Sequence, residues 1–159
     1  MDHTHILIKI RKIVRSINLE SKKIQKEHGI SIPQVLCLNY LHRCNNFQST
    51  QNQIREYLNL NSSTVTGIIN RLEKKGLIAR LPKFGDKRVT NISLTSAGDH
   101  LLEALPPLLH ERLSNKLNNY AHEQISEIDH ALDLLISLFE IEGIDASPVI
   151  TDDMIEGEL

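Results

Sequence analysis

Between residues 50 and 98 the spacing of apolar residues switches from a helical period to a strand-like one, and then back. That switch restricts the stretch to short helices, a hairpin and a further helix. Thr50-Gln51-Asn52-Gln53 has the pattern of a capping box and opens a helix that runs to about Leu58. Asn59-Leu60-Asn61 then forms a tight turn. Ser62 or Asn61 caps a second helix, which continues through Lys75 and stops at Gly76. Its inward positions are Val65, Ile68, Ile69 and Leu72. Its outward ones are Ser63, Thr64, Thr66, Gly67, Asn70 and Arg71. Residues 77–81 and 89–94 read as two short strands. Residues 82–88, Pro-Lys-Phe-Gly-Asp-Lys-Arg, form a basic hairpin tip turned by Gly85-Asp86.

The flanking segments are helical. Ile6, Ile10, Ile13, Ile17 and Ile24 make one stripe on a helix over residues 6–28, with Gly29 as its terminator. Ser31 and Gln34 form another capping box, with Pro33 in the first turn and Val35, Leu36, Leu38 and Leu41 facing inward. Ser96-Ala97-Gly98-Asp99 opens a helix that Pro106-Pro107 must break or kink. Ile125, Ile128, Leu132, Leu135 and Phe139 mark a last helix over about residues 122–140. With 7 glycines and 4% aromatics among 159 residues, the core is built from Leu, Ile and Val, and helices dominate. The length fits one domain or two small lobes.

The net charge of -2 hides a partition. Residues 1–50 carry 8 Lys+Arg and 3 Asp+Glu. Residues 51–90 also carry 8 and 3, whereas residues 91–159 carry 2 and 14. Two basic segments in a nearly neutral chain point to a local anion-binding face, although a solvated, salt-bridged surface has the same composition. No apolar run reaches the roughly 18–20 residues of a membrane span, so no membrane partner is expected. Met1-Asp2-His3-Thr4-His5 lacks the look of a secretory signal, and a cytoplasmic location is expected. Cys37 and Cys44 make no disulfide framework, and Cys37 reads as a small apolar side chain. No two of the eight histidines have the four-residue helical spacing of paired ligands, so no metal and no cofactor are expected. No phosphate loop or nucleophile–base pattern points to an enzyme.

Two short helices across a tight turn, the second with a polar outer face, make a helix-turn-helix, and the basic hairpin makes it winged. Such a unit places its second helix in the DNA major groove, where Ser, Thr, Asn and Arg have the right hydrogen-bonding chemistry. Ser62, Ser63, Thr64, Thr66, Asn70, Arg71 and Lys74 are the candidate DNA contacts on that helix. Lys83, Lys87 and Arg88 are the candidates on the wing. Arg71, Lys74 and the wing cations suit phosphates. Ser63, Thr64, Thr66 and Asn70 suit base edges. A helical protein-interaction module with a basic face, binding no specific DNA sequence, is the competing class.

Residues 53–98 resemble the MarR family of winged-helix repressors. The matching runs are Asn61-Ser62-Ser63-Thr64-Val65-Thr66 and Asn70-Arg71-Leu72-Glu73-Lys74-Lys75-Gly76-Leu77-Ile78. Asp86-Lys87-Arg88-Val89 and Leu94-Thr95-Ser96-Ala97-Gly98 follow in order. The resemblance implies a mainly α winged helix-turn-helix with a small two-stranded β-wing. It implies a homodimer on palindromic double-stranded DNA. Residues 1–30 and 104–145 would supply the dimerisation lobe, residues 31–103 the DNA-binding lobe, and residues 146–159 an acidic tail. The recognition helix falls on residues 62–75. The family's wing aspartate, which braces an arginine, matches Asp86 and Arg88. Gly67 departs from the larger, often basic, residue frequent there. A small-molecule or ionic effector is expected where the two lobes meet, near residues 10–45 and 98–110. Residues 104–109 and 143–150 are also similar to a subgroup that includes repressors of compatible-solute (ectoine) operons.

Overall fold

The structure is a computed structural model that describes residues 2–83 and 85–143. Local chemistry sets most helix ends. α1 (Thr4–His28) stops at Gly29, whose φ of 66° is left-handed and whose N–H donates to the Gln25 carbonyl at 2.9 Å. That conformation costs a residue with a β carbon about 1–2 kcal/mol. α2 (Ile32–Arg43) opens on a reciprocal box. The Gln34 N–H donates to Ser31 Oγ at 3.4 Å and the Ser31 N–H to Gln34 Oε1 at 3.3 Å. α3 (Gln51–Leu58) repeats the arrangement with Thr50 and Gln53, both bonds at 3.1 Å. Asn61 caps α4 (Ser62–Lys74) by accepting from the Thr64 N–H at 2.8 Å. Thr95, one residue before the expected start, caps α5 (Ser96–Ala104) by accepting from the Gly98 N–H at 3.1 Å. The Pro106-Pro107 pair separates α5 from α6 (Leu109–Leu117), and α7 (His122–Leu138) follows.

The sheet has one strand more than the pattern predicts. β1 (Gln48–Thr50), β2 (Ile78–Arg80) and β3 (Asn91–Leu94) form an antiparallel sheet in the order β1-β3-β2. Ser49 stands opposite Ile92, and Ile78 opposite Leu94. β1 is three polar residues with no apolar alternation, so nothing local marks it. It is a strand because β3 lies beside it and pairs with its backbone. The chain reaches β1 through a turn of 3-10 helix, Asn45–Phe47, in which Asn46 (φ 56°) and Phe47 (φ 57°) are left-handed.

The chain forms two compact units, residues 1–106 and 107–146, apart from the last residues. In the first, α2 is the central element. Every residue from 32 to 38 is buried, and α2 touches α1, α3, α4, α5, β1 and β3. Fully burying a Leu or Ile side chain contributes about 1.5–3 kcal/mol, so α2 anchors the helix-turn-helix. α5 packs closely on the turn before β2. Thr95 Oγ1 donates to the Gly76 carbonyl at 2.7 Å, and Gly98 sits against the Leu77 carbonyl.

The second unit consists of α6 and α7, and neither helix contains a buried residue. Ile128, Leu132 and Phe139, on the apolar stripe of the last helix, are 43%, 48% and 52% exposed. α1 behaves similarly. Of its isoleucine stripe only Ile24 is buried, while Ile6 and Ile13 lie open to solvent. No helix among the described residues is long and apolar enough to cross a membrane. The acidic tail, residues 146–159, lies outside the described residues.

Candidate nucleic-acid interface

α3 and α4 are joined through Asn59, which takes the left-handed conformation (φ 53°, ψ 45°) in place of a glycine. Asn tolerates that region because its short amide can bond locally. α4 buries Val65, Ile68, Ile69 and Leu72 and exposes Ser62, Ser63, Thr64, Asn70, Arg71 and Lys74. The residues assigned to opposite faces by period therefore occupy opposite faces.

Three of the polar candidates are already bonded within the chain. Ser63 Oγ donates to Asn61 Oδ1 at 2.8 Å. Thr66, half-buried, donates its hydroxyl proton to the Ser62 carbonyl at 2.8 Å and accepts from Gln51 Nε2 at 2.9 Å. Its single donor is thus used inside the protein, and its side chain joins α4 to the first turn of α3. Asn70 Oδ1 accepts from Arg80 Nη2 at 2.6 Å. The other arm of that guanidinium, Nη1, donates to Glu73 Oε1, also at 2.6 Å. Arg80 and Gln51 were not singled out from the sequence. Their partners lie 10 and 15 residues away, beyond any spacing rule for a single helix.

The wing projects from β2 and β3, closed at its base by the Leu81 N–H donating to the Asn91 carbonyl at 2.9 Å. Within it, Asp86 accepts from Arg88 three times. The Nε and the backbone N–H each donate to Oδ1 at 3.0 Å, and Nη2 donates to Oδ2 at 3.2 Å. The Arg88 side chain and then its backbone N–H hold the Asp86 carboxyl below its ordinary value of 3.8. Arg88 itself remains 91% exposed. Lys83 Nζ donates to the Lys87 carbonyl at 3.0 Å, closing the tip. An open cleft lies between this wing and the helix pair, lined by Gln51, Asn52, Arg55, Ser62, Arg88 and Thr90. Basic and hydrogen-bonding groups thus line one continuous surface from α3 to the wing.

Residues 30–90 match the sequence pattern of the MarR family. This stretch of the chain is a MarR-type domain. Its helix-turn-helix, wing and capping pattern all lie inside or beside the matched stretch. YsmB, an HTH-type transcriptional regulator of Bacillus subtilis (strain 168), is 24% identical over 123 residues, 77% of this chain and 83% of its own length. The HTH-type transcriptional repressor MdtR of the same organism is 30% identical over 94 residues, 59% of each chain. Among solved structures, MepR of S. aureus in a DNA complex superimposes with a TM-score of 0.64 and 25% identity. That match covers 86% of this chain and 98% of MepR. The chain accordingly carries the winged helix-turn-helix of MarR-type transcription regulators.

Cys37 lies away from this surface, whereas Gly67 lies on α4 itself. Cys37 is fully buried in α2, and desolvation pushes its thiol up to about 12. It stays protonated and unreactive at neutral pH. Gly67 has open space beside it: an added Cβ would meet only Arg71 Nη1, at 3.9 Å. Sterics within the protein do not demand glycine there.

Proposed function

We propose that this MarR regulator is a homodimeric repressor that reads a palindrome with α4 and the wing. The observation that carries the reading is α4 itself. One face is wholly buried, the other presents Ser, Thr, Asn, Arg and Lys, and a cationic wing stands beside it. Ser63, Thr64 and Asn70 are assigned to base edges. Ser62, Arg71, Lys74, Lys83, Lys87 and Arg88 are assigned mainly to phosphates, with Asp86 bracing Arg88. Thr66 is assigned to orienting α4 on α3 as much as to contact. In the dimer the half-sites lie about 34–36 Å apart.

The dimer reading is supported by the apolar side chains that α1 and α7 leave in solvent. Residues 1–30 and 104–145 are assigned to dimerisation and residues 31–103 to DNA. Repression is supported by the roles named for relatives such as MdtR. An osmolyte operon of the ectoine type is the proposed target, supported by the subgroup resemblance in residues 104–109 and 143–150. Most of the latter run lies outside the described residues. Ionic strength is the proposed signal, because each phosphate contact makes affinity fall as salt rises.

The test is fluorescence anisotropy with the duplex upstream of the protein's own gene against a scrambled duplex, across a salt series. The expected preference is roughly a thousandfold. Lys87→Ala is expected to weaken both duplexes alike and to lower the salt slope by about one. Equal weak binding to both duplexes overturns the assignment of α4. A shallow salt slope with tight release by an organic ligand overturns the ionic signal.

A further inference from the structure

We propose that Lys75 is a positioning residue for DNA recognition: it ties the end of α4 to the junction of α1 and α2, and so fixes the angle at which α1 carries the helix-turn-helix. The inference rests on the dimeric reading above, in which α1 belongs to the dimerisation lobe.

Two adjacent lysines close α4 and face different surroundings. Lys74 stands on the exposed face assigned to DNA. Lys75, the C-terminal cap, sends its ammonium back across the fold. Its Nζ donates to the Gly29 carbonyl, 46 residues away in sequence, and to Gln34 Oε1 at 3.4 Å. Gly29 is the C-terminal cap of α1, and Gln34 stands in the first turn of α2. One cation thus joins three helices.

The charges suit the junction. α1 and α4 both end at this ammonium, and each helix C-terminus carries a partial negative charge. A cation between the two ends satisfies both. Gln34 is only 5% exposed, and its Oε1 already accepts from the Ser31 N–H at 3.3 Å. The second lone pair of that oxygen takes the ammonium. The capping box that starts α2 is therefore completed from α4, by a charge-assisted bond.

Few apolar side chains hold α1 in place. Of its 25 residues only Ile24 is buried, and it reaches α2 through the short turn of Gly29, Ile30 and Ser31. Apolar contact is non-directional and tolerates small rotations. Bonds from one ammonium to two fixed oxygens do not. At 1.5 Å per residue α1 is about 37 Å long, so a turn of about 5° at the junction displaces its far end by about 3 Å relative to α4. Hydrogen bonds to base edges keep their length within about 0.5 Å. The angle that Lys75 fixes therefore sets how far apart two recognition helices can read. An exposed ammonium adds little to stability, so its loss is expected to change selectivity more than unfolding.

Fluorescence anisotropy tests this with the duplex upstream of the protein's own gene and the same duplex carrying one base pair inserted between its half-sites. The insertion shifts one half-site by about 3.4 Å and turns it by about 35°. The natural chain is expected to bind the inserted duplex about thirtyfold more weakly, because only one lobe then engages fully. Lys75→Met keeps the stem and removes the ammonium. It is expected to shrink the ratio to about fivefold, mainly by losing affinity for the uninterrupted duplex. Lys75→Arg keeps a cation and its donors, and is expected to return the ratio to within about twofold of the natural value. Lys75 is exposed, so Lys75→Met removes no core packing, and circular dichroism and urea denaturation check the fold. If that variant loses helical content, Lys75→Gln, which keeps a neutral donor, is measured in its place and the same narrowing is expected. An unchanged ratio without the ammonium, at any stability, overturns the positioning role and leaves the dimer and operator readings standing. A natural chain indifferent to the inserted pair removes the palindrome reading, and this inference with it.

Discussion

Arg80 Nη2 lies 2.6 Å from Asn70 Oδ1 and clamps the outer face of α4 to β2. With Nη1 on Glu73, one guanidinium bridges two side chains near the C-terminal end of α4. The bond also orients the Asn70 amide. With Oδ1 engaged by a charged donor, Nδ2 is the group left to face outward. An asparagine in this state offers a donor, which suits guanine O6/N7 or thymine O4, whereas a bidentate contact with adenine has to use the second lone pair of Oδ1.

Arg80→Ala is expected to lower stability by about 1 kcal/mol, read by urea denaturation, because the pair is partly exposed and screened. Operator preference is expected to fall more than stability does, since Asn70 is then free to flip. Arg80→Ala protein with unchanged selectivity on the two duplexes would show that the clamp is only structural.

Two glycines are expected to respond oppositely to alanine. At Gly98 an added Cβ overlaps the Leu77 carbonyl oxygen and lies 2.7 Å from Leu94 Cδ1. Overpacking against backbone costs about 1–3 kcal/mol, so Gly98→Ala is expected to lower the denaturation midpoint. Gly67 meets nothing closer than 3.9 Å and lies mid-helix. Gly67→Ala is expected to raise stability by about 1 kcal/mol through helix propensity. A loss of DNA affinity in the Gly67→Ala protein, despite that gain, would mark Gly67 as a point of close approach.

The wing brace is expected to be pH-sensitive only under acid conditions. The Asp86 carboxyl titrates below 3.8 because Arg88 favours its charged form. The sign follows: the brace is fully present above 3.8 and is lost as pH falls through the lowered value. NMR titration of the Asp86 carboxyl checks the midpoint. Asp86→Asn is expected to abolish the transition at Arg88 and to increase amide motion in residues 85–88. A midpoint at or above 3.8 would mean that the brace is absent in solution.

The two thiols are expected to differ sharply in reactivity. Cys37 is fully buried and its thiol is pushed up to about 12, whereas Cys44 is half-buried at the end of α2. A disulfide reagent at neutral pH is expected to modify one thiol promptly and the second only on unfolding. Two equal fast phases would contradict the burial of Cys37.

Much of this architecture was legible because the chemistry that marks it is local. Ser31 with Gln34, Thr50 with Gln53, and Asn61 with Thr64 bond three residues apart, so the pattern that names a cap is the pattern that forms it. Val65, Ile68, Ile69 and Leu72 follow the helical period for the same reason. What sequence alone could not show involves partners brought together by folding. β1 became a strand only because β3 lies beside it, and its three polar residues carry no period. The period places Thr66 on the outward face of α4, and only the fold shows that Gln51 and the Ser62 carbonyl engage its hydroxyl. Arg80 became a clamp only when β2 was laid against α4. The stripes on α1 and α7 illustrate the same division. Period alone identifies them as apolar faces. Only the tertiary structure shows that the described chain leaves them unburied, because burial is a property of neighbours and not of spacing.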